Sequence, residues 1–107
     1  MKQYLSKEQT AKLIELGFEK PRGLADAEPS SGKWVREAYS IGELIEMLPQ
    51  EFKNASGNYL SLSIYTGGLG TWEINYIGFE SLIRTCEYEL IDAAFEMCVK
   101  LKEEGVI

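Results

Sequence analysis

Tyr59-Leu60-Ser61-Leu62-Ser63-Ile64-Tyr65, then Thr66-Gly67-Gly68-Leu69-Gly70, then Thr71-Trp72-Glu73-Ile74-Asn75-Tyr76-Ile77: this stretch decides the fold. Leu60, Leu62 and Ile64 alternate with Tyr59, Ser61, Ser63 and Tyr65, and Trp72, Ile74 and Tyr76 alternate with Thr71, Glu73, Asn75 and Ile77. A period of two is the signature of a strand with one buried face. The Gly-rich run between them supplies a flexible turn, so the segment reads as an antiparallel hairpin with one apolar face. A two-stranded ribbon cannot cover that face alone. The rest of the chain must provide the cover.

Three amphipathic helices can do so. Ser6-Lys7-Glu8-Gln9 is a capping box that opens a helix over 7–16, in which Leu13, Ile14 and Leu16 form a short apolar face. Gly17 suits the left-handed position that ends it, with Phe18 folding back on Leu13. Ser40-Ile41-Gly42-Glu43 is a second capping box, with Tyr39 and Leu44 as the accompanying hydrophobic staple. Leu44, Ile45 and Leu48 make its stripe, and Pro49 ends it. In the last helix Leu90, Ile91, Ala94, Met97, Cys98 and Leu101 recur at helical spacing, and Gly105 caps it with Val106 against Leu101. A loose hairpin is expected from a short strand near 24–28 and a strand over 33–39, turning across Pro29–Gly32. The conformations of 19–33 and 78–87 stay open. The fold class is therefore α+β: an antiparallel sheet of one or two hairpins with about three helices packed on one face.

Composition sets the outer bounds. The chain has 107 residues, 45% hydrophobic and 26% charged, which suits a single domain over 1–107, read as complete from Met1 and able to fold without disulfides or metals. No signal peptide or apolar run of spanning length is seen, so the expected address is the cytoplasm, with no membrane partner. There is no histidine, which excludes Ser-His and Cys-His nucleophilic catalysis and the commonest acid–base side chain at neutral pH. Two cysteines without histidine cannot build the usual zinc sites, so neither metal nor cofactor is expected. The net charge is −6, unevenly spread. Residues 37–99 hold ten acidic and two basic side chains, and such a body disfavours direct binding to nucleic acid.

Tyr4-Leu5-Ser6-Lys7-Glu8-Gln9, Ile41-Gly42-Glu43-Leu44-Ile45-Glu46-Met47-Leu48-Pro49, Glu89-Leu90-Ile91-Asp92-Ala93-Ala94-Phe95 and the ending Leu101-Lys102-Glu103-Glu104-Gly105 together resemble small uncharacterised α+β proteins of gut Bacteroidetes, often carried on prophage-like or mobile elements. The resemblance implies an α+β fold. These phrases are capped helices, so it carries no site residues, and the family brings no established activity.

Few motifs carry chemistry. Gly67-Gly68-Leu69-Gly70 could offer N–H groups to an anion, but lacks the Lys and Ser/Thr of a P-loop and reads as a hairpin turn. Glu87, Glu89, Asp92 and Glu96 gather around the last helix as a solvated acidic surface, with acid–base or Mg²⁺ chemistry as the sharper alternative. Cys86 precedes that helix, where the dipole could activate a thiol, and Cys98 belongs to the core stripe. The outer face of the main hairpin is more informative. If Leu60, Leu62 and Ile64 point inward, then Tyr59, Ser61, Ser63, Tyr65, Glu73 and Asn75 share the other face. Tyrosine gives contact area at low entropy cost, and Ser and Asn give adaptable hydrogen bonds. The competing account is an ordinary wet sheet face, or one covered by the strand that holds Trp34. The leading expectation is a non-catalytic accessory or protein-interaction module, with catalytic residues none and a protein as partner. The alternatives are an acidic DNA-mimic decoy for a nucleic-acid-binding protein, and an enzyme that uses carboxylates or Tyr.

Overall fold

The computed structural model describes residues 2–27 and 34–107. Helix α1 spans Lys7–Glu15, strands β1 and β2 span Gly23–Ala27 and Trp34–Ala38, and helix α2 spans Ile41–Met47. Strands β3 (Glu51–Lys53), β4 (Tyr59–Thr66), β5 (Trp72–Gly78) and β6 (Ser81–Glu87) follow, and helix α3 (Leu90–Glu103) ends the order. The fold is α+β, with three helices and an antiparallel four-stranded sheet in the order β3-β4-β5-β6.

Two helices, α1 and α2, begin on a capping box, and two, α1 and α3, end on a glycine. In both capping boxes the serine hydroxyl accepts from the N–H three residues on, Gln9 for Ser6 and Glu43 for Ser40, and that residue's side chain returns to the serine N–H. Gly17 and Gly105 take φ of +99° and +76°, where a Cβ would be strained. The Phe18 N–H then reaches the Leu13 carbonyl at 3.1 Å and the Val106 N–H reaches the Leu101 carbonyl at 2.8 Å, closing both helices in Schellman form.

The decisive hairpin forms in the expected register, with Leu62 opposite Tyr76, Ser63 opposite Asn75 and Tyr65 opposite Glu73. The sheet is larger than one hairpin. Residues 81–87, left open by the sequence, form β6 beyond a two-residue turn at Phe79-Glu80, pairing Ile74 with Thr85 and Asn75 with Arg84. Glu51–Lys53, for which no strand was expected, pairs with Tyr59–Ser61 as a short edge strand. At Gly78 any Cβ would collide with the Tyr59 carbonyl, so only glycine lets β4 and β5 meet there.

Strands β1 and β2 pair with each other alone and join neither edge of the larger sheet. Their expected hairpin is present; its turn at Pro29–Gly32 lies outside the described residues. A bridge between Tyr4 and Ser40 continues the ribbon toward the chain start, with the Leu5 N–H on the Tyr39 carbonyl at 3.0 Å.

Alternation directs Leu60, Ile74 and Tyr76 inward, where Ile91, Ala94, Met97, Cys98 and Leu101 of α3 bury against them. Leu44 and Leu48 of α2 and Leu13 of α1 complete the same cluster. Each such side chain stabilises the fold by about 1.5–3 kcal/mol through removal of apolar area from water. Two polar side chains that enter this layer find backbone partners. The Thr85 hydroxyl donates to the Ala93 carbonyl at 2.9 Å, and Tyr76 donates to the Pro49 carbonyl at 2.6 Å. Among the described residues no helix is long and apolar enough to cross a membrane.

Candidate functional site

All three helices join the core on the inner face, and the outer face is left with side chains that no helix covers. Alternation places Tyr59, Ser61, Ser63 and Tyr65 of β4 on it, Glu73, Asn75 and Ile77 of β5 beside them, and Leu82, Arg84 and Cys86 of β6 beyond. The structure thus brings Tyr59, Ser61, Ser63, Tyr65, Glu73 and Asn75 onto one surface, though not at one depth. Tyr59 is 61% exposed and Tyr65 44%, Ser61 is exposed, and Ser63 is half-buried. Glu73 and Asn75 are buried, Asn75 to 1%. An alternation rule assigns a face and cannot report what neighbouring strands lay over it.

What lies over the central strand is a polar layer. The Asn75 amide Nδ2 donates to the Tyr65 hydroxyl at 2.7 Å, while its Oδ1 is buried and has no partner among the described residues. Beside it Arg84 Nε meets Glu73 Oε1 at 2.7 Å. The residue opposite Asn75 on β6 is Arg84, whose guanidinium is held by Glu73.

At one end of this layer the face turns apolar. Ser61, Ile77 and Leu82 lie side by side across β4, β5 and β6, with Ile77 47% and Leu82 59% exposed. Tyr59 borders them, with Lys53 Nζ over its ring at 5.9 Å from the centroid. Phe79, in the adjoining turn, is also exposed. Ile77 and Leu82 are residues of this surface that the sequence alone does not single out. The signal for Ile77 was its place in the outer alternation, and Leu82 fell in the segment left open.

The other candidates separate from this surface. Asp92 is a tether: its Oδ1 accepts from Lys2 Nζ and from Gln9 Nε2, each at 2.9 Å, while Glu89 accepts the Lys2 N–H at 3.0 Å. Burial alone would raise the Asp92 carboxyl, but the hydrogen bonds from Gln9 and Lys2 and the lysine charge outweigh it and hold the group below its usual range. Glu96 behaves oppositely. Burial pushes its carboxyl up to about 7, a hydrogen bond with Glu87 and the Glu87 charge add to this, and Lys100 opposes it. Among the described residues no group of three His, Cys, Asp or Glu side chains is placed to hold a metal ion.

Cys86 sits exposed on β6 and faces the outer surface rather than the start of α3. Cys98 is in the core, its thiol pushed up to about 12 by burial. The Gly67–Gly70 stretch is a tight turn around Leu69 at φ +62°. A hollow of about 670 Å³ lies where the β3–β4 turn faces the end of α3, lined by Phe52, Lys53, Leu60, Ile83, Glu104 and Val106 among others. It is open to solvent, and its two charged groups, Lys53 and Glu104, are exposed. The chain matches no family model, no curated protein and no solved structure.

Proposed function

We propose that this protein is a non-catalytic interaction module that engages a partner protein through the outer face of its four-stranded sheet. One observation carries this reading: exposed Tyr59, Ile77 and Leu82 gather at one end of the outer face, next to a polar layer in which buried Asn75 and Glu73 are held by the exposed side chains of Tyr65 and Arg84. Exposed apolar side chains standing singly are ordinary, but contiguous ones rimmed by polar groups mark contact surfaces. The pattern also matches the anatomy of recognition sites, in which aromatic anchors bury area and neighbouring amides and guanidinium groups fix orientation. The absence of histidine and the shallowness of the hollows favour binding over turnover.

The test is capture of a partner by the purified protein, followed by binding measured with Tyr59→Ala and Leu82→Ser. Both side chains lie outside the buried core, so thermal stability should hold while affinity falls by about 1–3 kcal/mol for each. A partner held equally well by both variants would refute the surface. Binding that collapses with salt and is competed by duplex DNA would instead favour the acidic DNA-mimic decoy.

A further inference from the structure

The two edges of the four-stranded sheet are not alike. Along β6 the outward-facing backbone groups belong to Leu82, Arg84 and Cys86, and Lys100 Nζ from α3 donates to the Arg84 carbonyl at 3.0 Å. A lysine over an edge carbonyl, beside charged Arg84 and Glu87, is a usual means of blunting a sheet edge. The other edge is different. Strand β3 pairs only with Tyr59–Ser61, and its last link is the Leu62 N–H on the Gln50 carbonyl at 2.8 Å.

Beyond that point β4 runs on to Thr66 with nothing paired along its outer side among the described residues. The parity is fixed independently at both ends. Leu62 bonds away from β5, and Gly67 bonds toward it, its N–H reaching the Thr71 carbonyl at 2.8 Å. Ile64 and Thr66 therefore aim both their N–H and C=O groups at the open edge. Beside them an open groove of about 580 Å³ is lined by Gln50, Glu51, Ser61, Leu62 and Ile64. No charged residue occurs from Asn54 to Trp72, a gap of nineteen positions in a chain that is 26% charged. On β4 itself beyond Leu62 there is neither charge nor proline; Glu51, which lines the groove, and Pro49, which precedes Gln50, stand at its β3 end.

We infer that the free edge of β4 pairs with β4 of a second copy, antiparallel, with Tyr65 on the two-fold axis. The register follows from the groups available. With Tyr65 opposite Tyr65, Ile64 faces Thr66 of the other chain, and these residues exchange four N–H···O=C bonds that use every unpaired group of the stretch. A register one pair earlier would bring Thr66 against Leu62, whose N–H is already taken by Gln50. The two tyrosines then form a cross-strand aromatic pair on the outer face, Ile64 packs against the Thr66 methyl on the inner face, and no like charges meet. No charged side chain lies on the paired stretch of β4, and the net charge of −6 of each copy is carried by the rest of the chain. Pairing joins the two sheets into one of eight strands and sets the two outer faces side by side. It does not depend on the partner-binding role proposed for that face.

Sedimentation equilibrium on the full chain tests this. A short, mostly backbone interface implies a dimer that half-dissociates at about 10–100 µM protein. Thr66→Lys places a charge at an exposed edge position and should weaken dimerisation about tenfold or more while leaving the melt unchanged. Tyr65→Cys in a Cys86→Ser background gives an independent readout. A non-hydrogen-bonded pair sets its Cα atoms about 4.5 Å apart, within disulfide range, so mild oxidation should yield a covalent dimer at twice 12.1 kDa. Tyr59→Cys in the same background should not crosslink. A protein that stays monomeric at all concentrations overturns the inference, including one whose edge takes only a foreign peptide. So does a dimer that Thr66→Lys leaves intact or that Tyr65→Cys fails to lock.

Discussion

Asn75→Val should make the protein more stable. Asn75 is 1% exposed, gives one hydrogen bond to Tyr65 and leaves one amide atom without a partner. A neutral hydrogen bond contributes about 0.5–1.5 kcal/mol net, whereas a buried polar group left unpaired costs about 1–3 kcal/mol. Turning the amide over exchanges which atom is orphaned and not the cost. Valine removes both terms at similar volume and brings a β-branched side chain worth up to about 1 kcal/mol in a strand. The balance favours the variant by about 1 kcal/mol, a rise of about 4–8 °C in melting temperature for a domain of this size. Tyr65→Phe alone should cost about 1 kcal/mol by orphaning the second amide atom, and should be nearly silent once Asn75 is valine. Urea unfolding of the four proteins of this cycle, at a common m-value, measures the coupling directly. An Asn75→Val variant with a lower midpoint than the parent would refute the reasoning. A stabilised variant that binds its partner less well would identify the amide as kept for recognition at a cost in stability.

Three further outcomes follow from the core and its titrating groups. Ile91→Ala removes a fully buried side chain of α3 and should cost about 2–5 kcal/mol, while Leu62→Ala, half-buried near the open edge, should cost less, as chemical denaturation will report. Glu96 has a folded-state pKa raised from 4.5 to about 7, so the folded chain holds the proton more tightly. Its contribution to stability is complete below pH 4.5 and is lost as the pH rises through 7, a drop of about 1 kcal/mol after solvent screening, and Glu96→Gln should abolish that slope in melts taken between those limits. With thiol reagents under native conditions Cys86 should react promptly, and Cys98, buried and pushed up to about 12, only on unfolding.

What could be read from the sequence was whatever local chemistry decides. Ser6, Gln9, Ser40 and Glu43 cap their helices through contacts three residues apart, and Gly17 and Gly105 end them through backbone angles that glycine alone takes without strain. The main hairpin was legible because eight strand residues in a row obey the period of two. Strand β3 was not, since three residues offer too short a period, and its only local signal was the turn at Asn54–Asn58, where the Asn58 N–H meets Asn54 Oδ1 at 2.9 Å. Strand β6 mixes Leu82 outside with Thr85 inside, so polarity and face disagree, and the Thr85 hydroxyl is reconciled to the core by the Ala93 and Ile74 carbonyls within its reach. The site divides likewise: the face of each candidate follows from parity, whereas the burial of Glu73 and Asn75 depends on Arg84 and Tyr65 arriving from neighbouring strands.

The tether between Lys2 and Asp92 has a consequence for how the chain comes to be folded as it is made. These residues stand ninety positions apart, and Gln9 joins the same carboxylate. During synthesis the chain lengthens at about 5–20 residues per second, so the opening helix waits for several seconds with its fastening not yet made. The β3–β6 meander, whose pairings are all between neighbours in sequence, can close on itself in that interval. The first segment can lock down once α3 has emerged. A chain cut before Leu90 should therefore keep its start open to protease, and the same chain with α3 restored should close it.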